Sequence, residues 1–372
     1  MKTFISFFKK QSVLCIAFIV AVISAFFVPP DSGYIGYINF STLILLFCLM
    51  GAVAGLNSCG VFGRLSDFLI RKCSNLRAVV FALMNVCFFS SMLITNDVAL
   101  ITFVPVTVMI FKSLKLKSNA PLIWAVIIET ASANLGSMML PTGNPQNIFL
   151  CSQYGITPPE LVKTLLPFGI ISYILLSVSI LMIPKISCKV TQKKSERSDF
   201  SMKKVVLCSA IFIISLLTVA GILNEYICLA VSLVLILACD FRLLSKIDYG
   251  LLLTFVFFFI FTGNIGCIDA VIEFLSNIVS GNELIVSVLS SQIISNVPAS
   301  VLLSTFTDNA KLLLIGTNLG GLGTPVASLA SLISYRLYAS DKDSASGKYM
   351  AIFMLYNIAF LALLCISAFI IL

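Results

Sequence analysis

Two short polar sequences interrupt long apolar stretches of the chain, and their side chains are suited to binding small ions. The first is Thr95-Asn96-Asp97 and the second is Ser295-Asn296. Amides and hydroxyls both donate and accept hydrogen bonds, and a carboxylate can bind a cation or exchange a proton. Polar groups at membrane depth are costly and therefore indicate a function. Because both sequences place an asparagine after a hydroxyl residue, we expect them to act together.

A second pair of polar sequences lies in the apolar stretches at about 120–150 and 312–335. The later copy repeats the earlier one without a gap: Asn134, Leu135, Gly136, Pro141, Asn144 and Asn147 correspond to Asn318, Leu319, Gly320, Pro325, Ser328 and Ser331. Glycine and proline in the middle of each stretch predict a transmembrane helix that is broken there. At such a break, carbonyl groups can coordinate a cation, and the N-terminus of the following half-helix attracts an anion.

We therefore predict one site for substrate and ions, formed by two hairpin tips and two broken helices. Its predicted residues are Thr95, Asn96, Asp97, Asn134, Gly136, Gly143, Asn144, Gln146, Asn147, Ser295, Asn296, Asn318, Gly320, Gly321, Thr324 and Ser328. The glycines would let the backbone approach a ligand closely. The alternative for the polar residues is a structural role as helix caps inside the breaks, which applies most to Asn147 and Ser331.

Two carboxylates within these stretches are candidates for coupling to an ion gradient. Asp97 could bind a cation, take and release a proton, or cap the second arm of the hairpin. Glu129 precedes Asn134 in the same predicted span, and it could serve the same purpose or face a cytoplasmic vestibule. The sequence contains no histidine, so a proton relay would depend on these two acids. The coupling ion would be Na⁺ or H⁺. No other cofactor, metal site, nucleotide motif or catalytic nucleophile is expected.

The composition requires a membrane environment. Hydrophobic residues make up 59% of the 372 residues, charged residues 11%, and the mean hydropathy is +1.08, which excludes a soluble enzyme. The net charge of +8 could suggest nucleic-acid binding. However, all lysines and arginines except Lys163 and Lys311 lie in loops that the positive-inside rule assigns to the cytoplasm. Orientation therefore explains the charge, and no nucleic-acid partner is expected.

The charges also predict an all-α polytopic fold with two repeats of opposite topology. A stretch at about 78–111 is basic at both ends and polar in its middle, which predicts a re-entrant hairpin of two short arms entering from the cytoplasm. A second hairpin at about 284–307 enters from outside. The predicted segments are an N-terminal helix and outer loop at 1–37, repeat 1 at 38–183, a basic cytoplasmic linker at 184–204, a helix pair at 205–247 and repeat 2 at 248–372, whose last span is 349–372. We expect the first helix to be retained, with the N-terminus in the cytoplasm.

Inverted repeats with paired broken helices are typical of secondary transporters, whose site lies at the repeat interface. Close helix packing also selects small residues, but packing alone does not predict asparagines at matched positions. We therefore expect a transporter of a small anion, driven by a sodium or proton gradient. The alternative is a sodium/proton antiporter in which Asp97 exchanges the two ions. A gated channel fits less well, because a pore needs sites weak enough for ions to leave.

These motifs resemble the ion transporter superfamily, in particular its arsenite-permease and citrate-transporter-like anion permease branch. The resemblance depends on Thr95-Asn96-Asp97-Val98 with Pro105, Ala133-Asn134-Leu135-Gly136, Gly143-Asn144-Pro145-Gln146-Asn147, Ser295-Asn296-Val297-Pro298 and Asn318-Leu319-Gly320-Gly321. It implies a homodimer in the cytoplasmic membrane that moves a small inorganic or carboxylate anion by alternating access. It also implies a mobile transport domain holding both hairpins and both broken helices. The related dicarboxylate symporters carry Ser-Asn-Thr at both tips, whereas this chain has Thr-Asn-Asp and Ser-Asn-Val.

Overall fold

The computed structural model describes residues 12–61, 64, 73–114, 118–187, 201–340 and 344–372. Residues 188–200 of the predicted linker lie outside the described residues, as do several of the basic residues used above to assign topology, among them Arg71, Lys72, Lys115 and Lys117. Within the described ranges the secondary structure is helical, apart from one isolated bridge between Asn75 and Ser187. The predicted all-α fold is therefore confirmed.

The α-helices are numbered in chain order. They are α1 Ser12–Ala25, α2 Tyr34–Tyr37, α3 Phe40–Ser58, α4 Leu76–Ile94, α5 Asn96–Ser113, α6 Ala120–Ser137, α7 Pro145–Tyr154, α8 Pro158–Ser179, α9 Met202–Val219, α10 Glu225–Cys239, α11 Tyr249–Ile265, α12 Asp269–Val279, α13 Glu283–Ile294, α14 Asn296–Leu303, α15 Ala310–Leu319, α16 Leu329–Ala339 and α17 Ser346–Ile371. Short 3₁₀ turns lie at Pro141–Gly143, Ile180–Met182 and Phe241–Lys246.

Several of these helices are long and apolar enough to cross a bilayer. In the described part of the chain they are Phe40–Ser58, Leu76–Ile94, Pro158–Met182, Met202–Val219 and Ser346–Ile371. Helices α11 and α12 form a further apolar pair that is bent by 103°. The chain is therefore an integral membrane protein with several spans.

Two helix pairs each turn at a single residue and form hairpins. Hairpin 1 consists of α4, Thr95 and α5, and hairpin 2 consists of α13, Ser295 and α14. The arms of hairpin 1 have 19 and 18 residues, which at 1.5 Å per residue is roughly 28 Å. These arms are longer than the short ones expected from the sequence. The arms of hairpin 2 are shorter, with 12 and 8 residues.

Two further helix pairs are interrupted by irregular backbone. Broken helix 1 consists of α6 and α7 with the break at 138–144, and broken helix 2 consists of α15 and α16 with the break at 320–328. Hairpin 1 packs on broken helix 1 through α4 and α6, and hairpin 2 packs on broken helix 2 through α13 and α15. The same order of elements and the same packing therefore occur twice.

The open ends of the two hairpins lie near opposite ends of α8. At the hairpin 1 end, Arg77 Nε donates to the Ile183 carbonyl (2.9 Å), just beyond the C-terminus of α8. At the hairpin 2 end, the hydroxyl of Tyr154, which lies just before the N-terminus of α8, donates to the Thr307 carbonyl (2.7 Å). The 22 residues of α8 span roughly 33 Å, so the hairpins enter the helical core from positions far apart.

Candidate functional site

Both hairpin tips turn at a residue whose backbone is strained. Thr95 has φ 67° and ψ 149°, and Ser295 has φ 75° and ψ 151°. These are the only residues other than glycine with positive φ among those the structure describes. This region of backbone space strongly favours glycine, and such strain costs on the order of 1–3 kcal/mol and is concentrated at functional sites. The two tips therefore share a conformation that the chain adopts at a cost.

The first cluster of buried polar groups joins the tip of hairpin 1 to both broken helices. Asn96 Nδ2 donates to Asn134 Oδ1 (3.0 Å), and Ser328 Oγ donates to the same oxygen (3.0 Å). Asn134 Nδ2 in turn donates to Ser331 Oγ (3.2 Å). All four residues are buried. Asn134 therefore connects the end of α6 to the start of α16 across the two repeats.

The second cluster has the same arrangement with the repeats exchanged. Asn144 Nδ2 donates to Asn318 Oδ1 (3.0 Å), and Asn318 Nδ2 donates to Asn147 Oδ1 (2.7 Å). Asn144 Oδ1 also accepts from the backbone N–H of Asn147 (2.9 Å), so Asn144 caps α7. These three residues are buried as well. Asn318 therefore connects the end of α15 to the start of α7.

Apart from Asn96, which has no counterpart in the second cluster, the two clusters correspond residue by residue. Asn134 and Asn318 are matched in the sequence. Asn134 bonds to Ser328 and Ser331 of the second repeat, and Asn318 bonds to the matched residues Asn144 and Asn147 of the first repeat. In each broken helix, the end of the first half is therefore bonded to the start of the second half of the other broken helix. The matched positions found in the sequence are brought together in space, and they hold the four half-helices in one polar centre.

The carbonyl groups exposed by the two breaks already accept hydrogen bonds from side-chain amides. In the first break, Asn147 Nδ2 donates to the carbonyls of Met138 (3.1 Å) and Leu140 (3.2 Å). In the second break, Gln292 Nε2 donates to the carbonyls of Gly320 and Leu322, both at 2.9 Å. We expected such carbonyls to be available for a cation, but one lone pair of each is already used.

Gln292 is a central residue of the second break that we did not predict from the sequence. Its Oε1 also accepts from the backbone N–H of Thr324 (2.8 Å), and its backbone carbonyl accepts from Thr324 Oγ1 (3.0 Å). The matched residue in hairpin 1 is Met92, which contributes only its backbone carbonyl, to Thr142 Oγ1 (3.1 Å). The repeat pattern therefore gave no signal for an amide at position 292.

The second tip differs from the first in what its asparagine contacts. The backbone N–H of Asn296 donates to the Ala327 carbonyl (2.9 Å), which also accepts from Ser295 Oγ (3.4 Å). In the part of the chain that the structure describes, the side-chain amide of Asn296 forms no hydrogen bond. That amide lies next to Gly321, where a Cβ would come within 2.8 Å of Asn296 Nδ2. Asn296 therefore retains its full hydrogen-bonding capacity for a ligand.

Gly136, Gly143 and Gly320 make room for protein atoms, and the expectation that the predicted glycines let a ligand approach stays a prediction. A Cβ at Gly136 would lie 2.1 Å from the Phe88 carbonyl oxygen, and one at Gly320 would lie 2.7 Å from Ser291 Oγ. A Cβ at Gly143 would lie 2.0 Å from the Ser137 carbonyl oxygen. These glycines are needed for close packing of helices and for the fold of the break.

Asp97 lies outside both polar clusters and lines two cavities. The larger cavity, of about 520 Å³, is lined by Thr95, Asp97, Lys246 and Asp248 together with apolar side chains. The smaller cavity, of about 220 Å³, is lined by Asp97, Asp248 and Arg336 among others. The side chain of Asp97 is half-buried. Two carboxylates therefore face the same space beside the first tip, with cationic side chains on the same walls.

Three other predicted residues are placed apart from the clusters. Gln146 is buried in the first turn of α7, and Thr324 is half-buried in the second break and bonded to hairpin 2. Glu129 is completely buried on α6, roughly 7.5 Å along the helix from Asn134. The site residues thus form a polar centre with Asp97 and Glu129 at separate positions near it.

The family model described as Citrate transporter matches residues 3–311 of this chain. The chain belongs to the citrate transporter family. The match includes both hairpins and the first broken helix, and it ends at the start of α15. A member of this family is a transporter, in agreement with the integral membrane fold described above.

Other proteins similar to this chain are also transporters or membrane proteins. An uncharacterized transporter of Methanocaldococcus jannaschii is 35% identical over 320 residues, which cover 85% of this chain and 85% of that protein. The inner membrane protein YbiR of Escherichia coli is 28% identical over 329 residues, covering 86% of this chain and 85% of that protein. A protein of Dictyostelium discoideum described as a transporter, arsB, is 31% identical over 131 residues, which is 34% of this chain and 22% of that protein.

Proposed function

We propose that this protein is a secondary active transporter that moves a small inorganic or carboxylate anion across the cytoplasmic membrane. The observation that carries the proposal is the reciprocal pair of polar clusters, in which Asn134 and Asn318 join two broken helices beside two strained hairpin tips. The N-termini of α5, α7, α14 and α16 all begin at these tips and breaks. Such termini carry partial positive charge and favour an anion.

The cavity beside the first tip supports transport by alternating access. It extends from Thr95 and Asp97 to Lys246 and Asp248, and the charge pattern predicts that the loop carrying Lys246 is cytoplasmic. No residue of hairpin 2 among the described positions lines either cavity that contains Asp97. Cavities beside hairpin 1 and not beside hairpin 2 are what an inward-facing state would have. The same charge pattern places the N-terminus of the chain in the cytoplasm in this proposal.

The coupling ion in this proposal is a proton. A sodium site needs several oxygen ligands, and each of the four break carbonyls has at most one lone pair left, because it already accepts from Asn147 or Gln292. A carboxylate can take up a proton without other ligands. The pair Asp97 and Asp248, which lines one cavity, would also suit a sodium/proton antiporter of the same fold, and that is the second candidate function.

The site assignment is tested by Asn296→Ala in proteoliposomes. Uptake of arsenite, citrate, succinate, sulfate and phosphate is measured under separate sodium and proton gradients. We expect wild type to accumulate at least one anion and Asn296→Ala to lose that uptake. Because the Asn296 side chain forms no hydrogen bond with the described residues, unfolding free energy should change by less than about 1 kcal/mol. The loss would then reflect binding and not folding.

The matched control is Asn282→Ala, which removes the same amide from an exposed position just before hairpin 2. This variant should transport like wild type. Uptake that survives unchanged in Asn296→Ala would contradict the site assignment. Sodium efflux driven by protons, with none of the five anions required, would favour the antiporter.

Asp97→Asn is expected to remove gradient coupling while leaving the first tip folded. The asparagine keeps the size of the side chain, and the Asp97 backbone N–H still donates to Asn96 Oδ1 (3.0 Å). Counterflow of the transported anion at equal pH should persist, whereas accumulation against a gradient should fall to background. If the pH and sodium dependence of accumulation stays that of wild type, Asp97 has no role in coupling.

A further inference from the structure

Glu129 is buried at a position that offers few hydrogen bonds to a negatively charged carboxylate. Its side chain has no exposed surface, and Oε2 has no hydrogen-bond partner. The other oxygen, Oε1, lies 2.5 Å from Thr107 Oγ1 on α5. A buried carboxylate is normally paired with a cation or accepts several hydrogen bonds. An ionised Glu129 would have one hydroxyl donor at most.

The hydrogen bonds that the Thr107 hydroxyl can form indicate whether the Glu129 carboxyl group is protonated or ionised. Thr107 Oγ1 lies close to two oxygens, Glu129 Oε1 and the Phe103 carbonyl at 3.2 Å. A hydroxyl has one hydrogen to donate, so an ionised carboxylate and the carbonyl would compete for it. If Glu129 is a carboxylic acid, its O–H donates to Thr107 Oγ1 and Thr107 donates to the Phe103 carbonyl. Both short contacts are then hydrogen bonds.

The groups around Glu129 do not neutralise a negative charge. The titratable side chains that face it are Cys87 from α4 and Tyr349 from α17. Helix α16 contributes Ser334, whose hydroxyl lies 2.5 Å from that of Thr130. The charged residues on helices packed against α6 are Arg77, Asp97, Lys112, Glu160, Lys163, Lys311, Arg336 and Lys348. Within the described part of the chain, none of them forms an ion pair with Glu129.

A cavity also lies between α5 and α16, but it is on the face of α5 opposite Thr107 and does not reach Glu129. It has a volume of about 300 Å³, and its α5 wall includes Pro105, Val108 and Met109, which share one helix face. Leu337 and Ser340 line its other wall.

The element that closes the chain next to Glu129 is α16, whose Ser334 contacts Thr130, the residue that follows Glu129 on α6 (2.5 Å). Separation of α16 from α6 would admit water there. Such a movement would also break the contact between Thr130 and Ser334.

We propose that Glu129 is a proton-binding site of this protein, separate from Asp97. It is a carboxylic acid in the conformation described here, and it loses its proton to water when α16 moves away from α5 and α6. The O–H bond breaks, its electron pair stays on the carboxylate, and the proton passes to water that enters between α6 and α16. This assignment rests on the proposed transport function, because it makes Glu129 a second group, besides Asp97, that carries a coupling proton.

The protonation state can be measured without transport. Infrared spectra of the purified protein in H₂O and D₂O are compared for wild type, Glu129→Gln, Thr107→Val and Asp97→Asn. We expect a carboxylic-acid C=O band in wild type that is absent in Glu129→Gln, shifted in Thr107→Val and retained in Asp97→Asn. Identical spectra of wild type and Glu129→Gln in this region would overturn the proposal.

The coupling role is measured in proteoliposomes with the same five anions. Glu129→Gln should retain anion counterflow at equal pH and lose accumulation driven by a proton gradient. Thr107→Val keeps the Glu129 carboxyl but removes the hydroxyl that contacts it. The pH at which this variant accumulates the anion should therefore differ from that of wild type. Full proton-driven accumulation by Glu129→Gln would overturn the coupling role. If wild type moves none of the anions, the proposed function fails, and the infrared band still decides whether Glu129 holds a proton.

Discussion

Replacing Asn318 with leucine is expected to abolish transport and to lower the free energy of unfolding by about 2 to 5 kcal/mol. Leucine has a similar size but cannot form the two hydrogen bonds that join Asn318 to Asn144 and Asn147. Both partner amides are completely buried, so each would lose a partner with no solvent to replace it. Transport in proteoliposomes and unfolding in detergent would measure the two effects.

The matched control for this prediction is Thr317→Val, one residue earlier on α15. Thr317 is equally buried, but its hydroxyl donates only within its own helix, to the carbonyls of Leu313 and Leu314. Thr317→Val should keep transport, with a small loss of stability. The reciprocal arrangement further requires that Asn134→Leu behave like Asn318→Leu. Normal stability and transport in both asparagine variants would show that the polar centre does not hold the half-helices together.

The polar residues of the centre could be predicted from the sequence because they recur at matched positions in apolar stretches. Asparagine is costly in lipid, and its repetition at Asn134 and Asn318 indicated a role that packing does not explain. What the sequence could not predict is which residues pair. The exchange of partners between repeats depends on how two distant broken helices are arranged in space.

Two features of the site had no sequence signal. Gln292 lies on a helix where the matched residue is Met92, so comparison of the repeats does not reveal it. For the glycines, the sequence does not tell whether a missing side chain makes room for a ligand or for a neighbouring helix, because that depends on how the helices pack. Here the neighbours of Gly136 and Gly320 are the hairpin arms.

The length of the hairpin 1 arms shows a limit of reading helices from hydropathy alone. The apolar stretch at 78–111 predicts two short arms, because it is too short for two ordinary spans. The helices extend beyond it, since Asn75 caps α4 through a bond from the Ala78 N–H to Asn75 Oδ1 (3.0 Å). Capping is a local signal that precedes the apolar residues. At the tip itself, Asn96 donates to Asn134, a contact that arm length does not predict.

Gly136→Ala is expected to be as damaging as the loss of Asn318, although it adds only one methyl group. A Cβ at this position would lie 2.1 Å from the Phe88 carbonyl oxygen and 2.6 Å from Ser91 Oγ. The first is a backbone atom of α4, so hairpin 1 would have to move away from α6. Such overpacking costs about 3 kcal/mol or more, and it would separate Asn96 from Asn134. We expect a lower unfolding temperature and no transport.

The single tryptophan, Trp124, lies on the same helix as Gly136 and allows unfolding to be followed by its fluorescence. The control is Gly347→Ala in α17, where a Cβ would have no atom within 4 Å. That change should be neutral or slightly stabilising, because alanine favours helix more than glycine does. If Gly136→Ala were as stable and as active as Gly347→Ala, the close contact between hairpin 1 and broken helix 1 could not be what positions the first tip. The tip would then have to be held from the side of α16, through Asn134 and the two serines that bond to it.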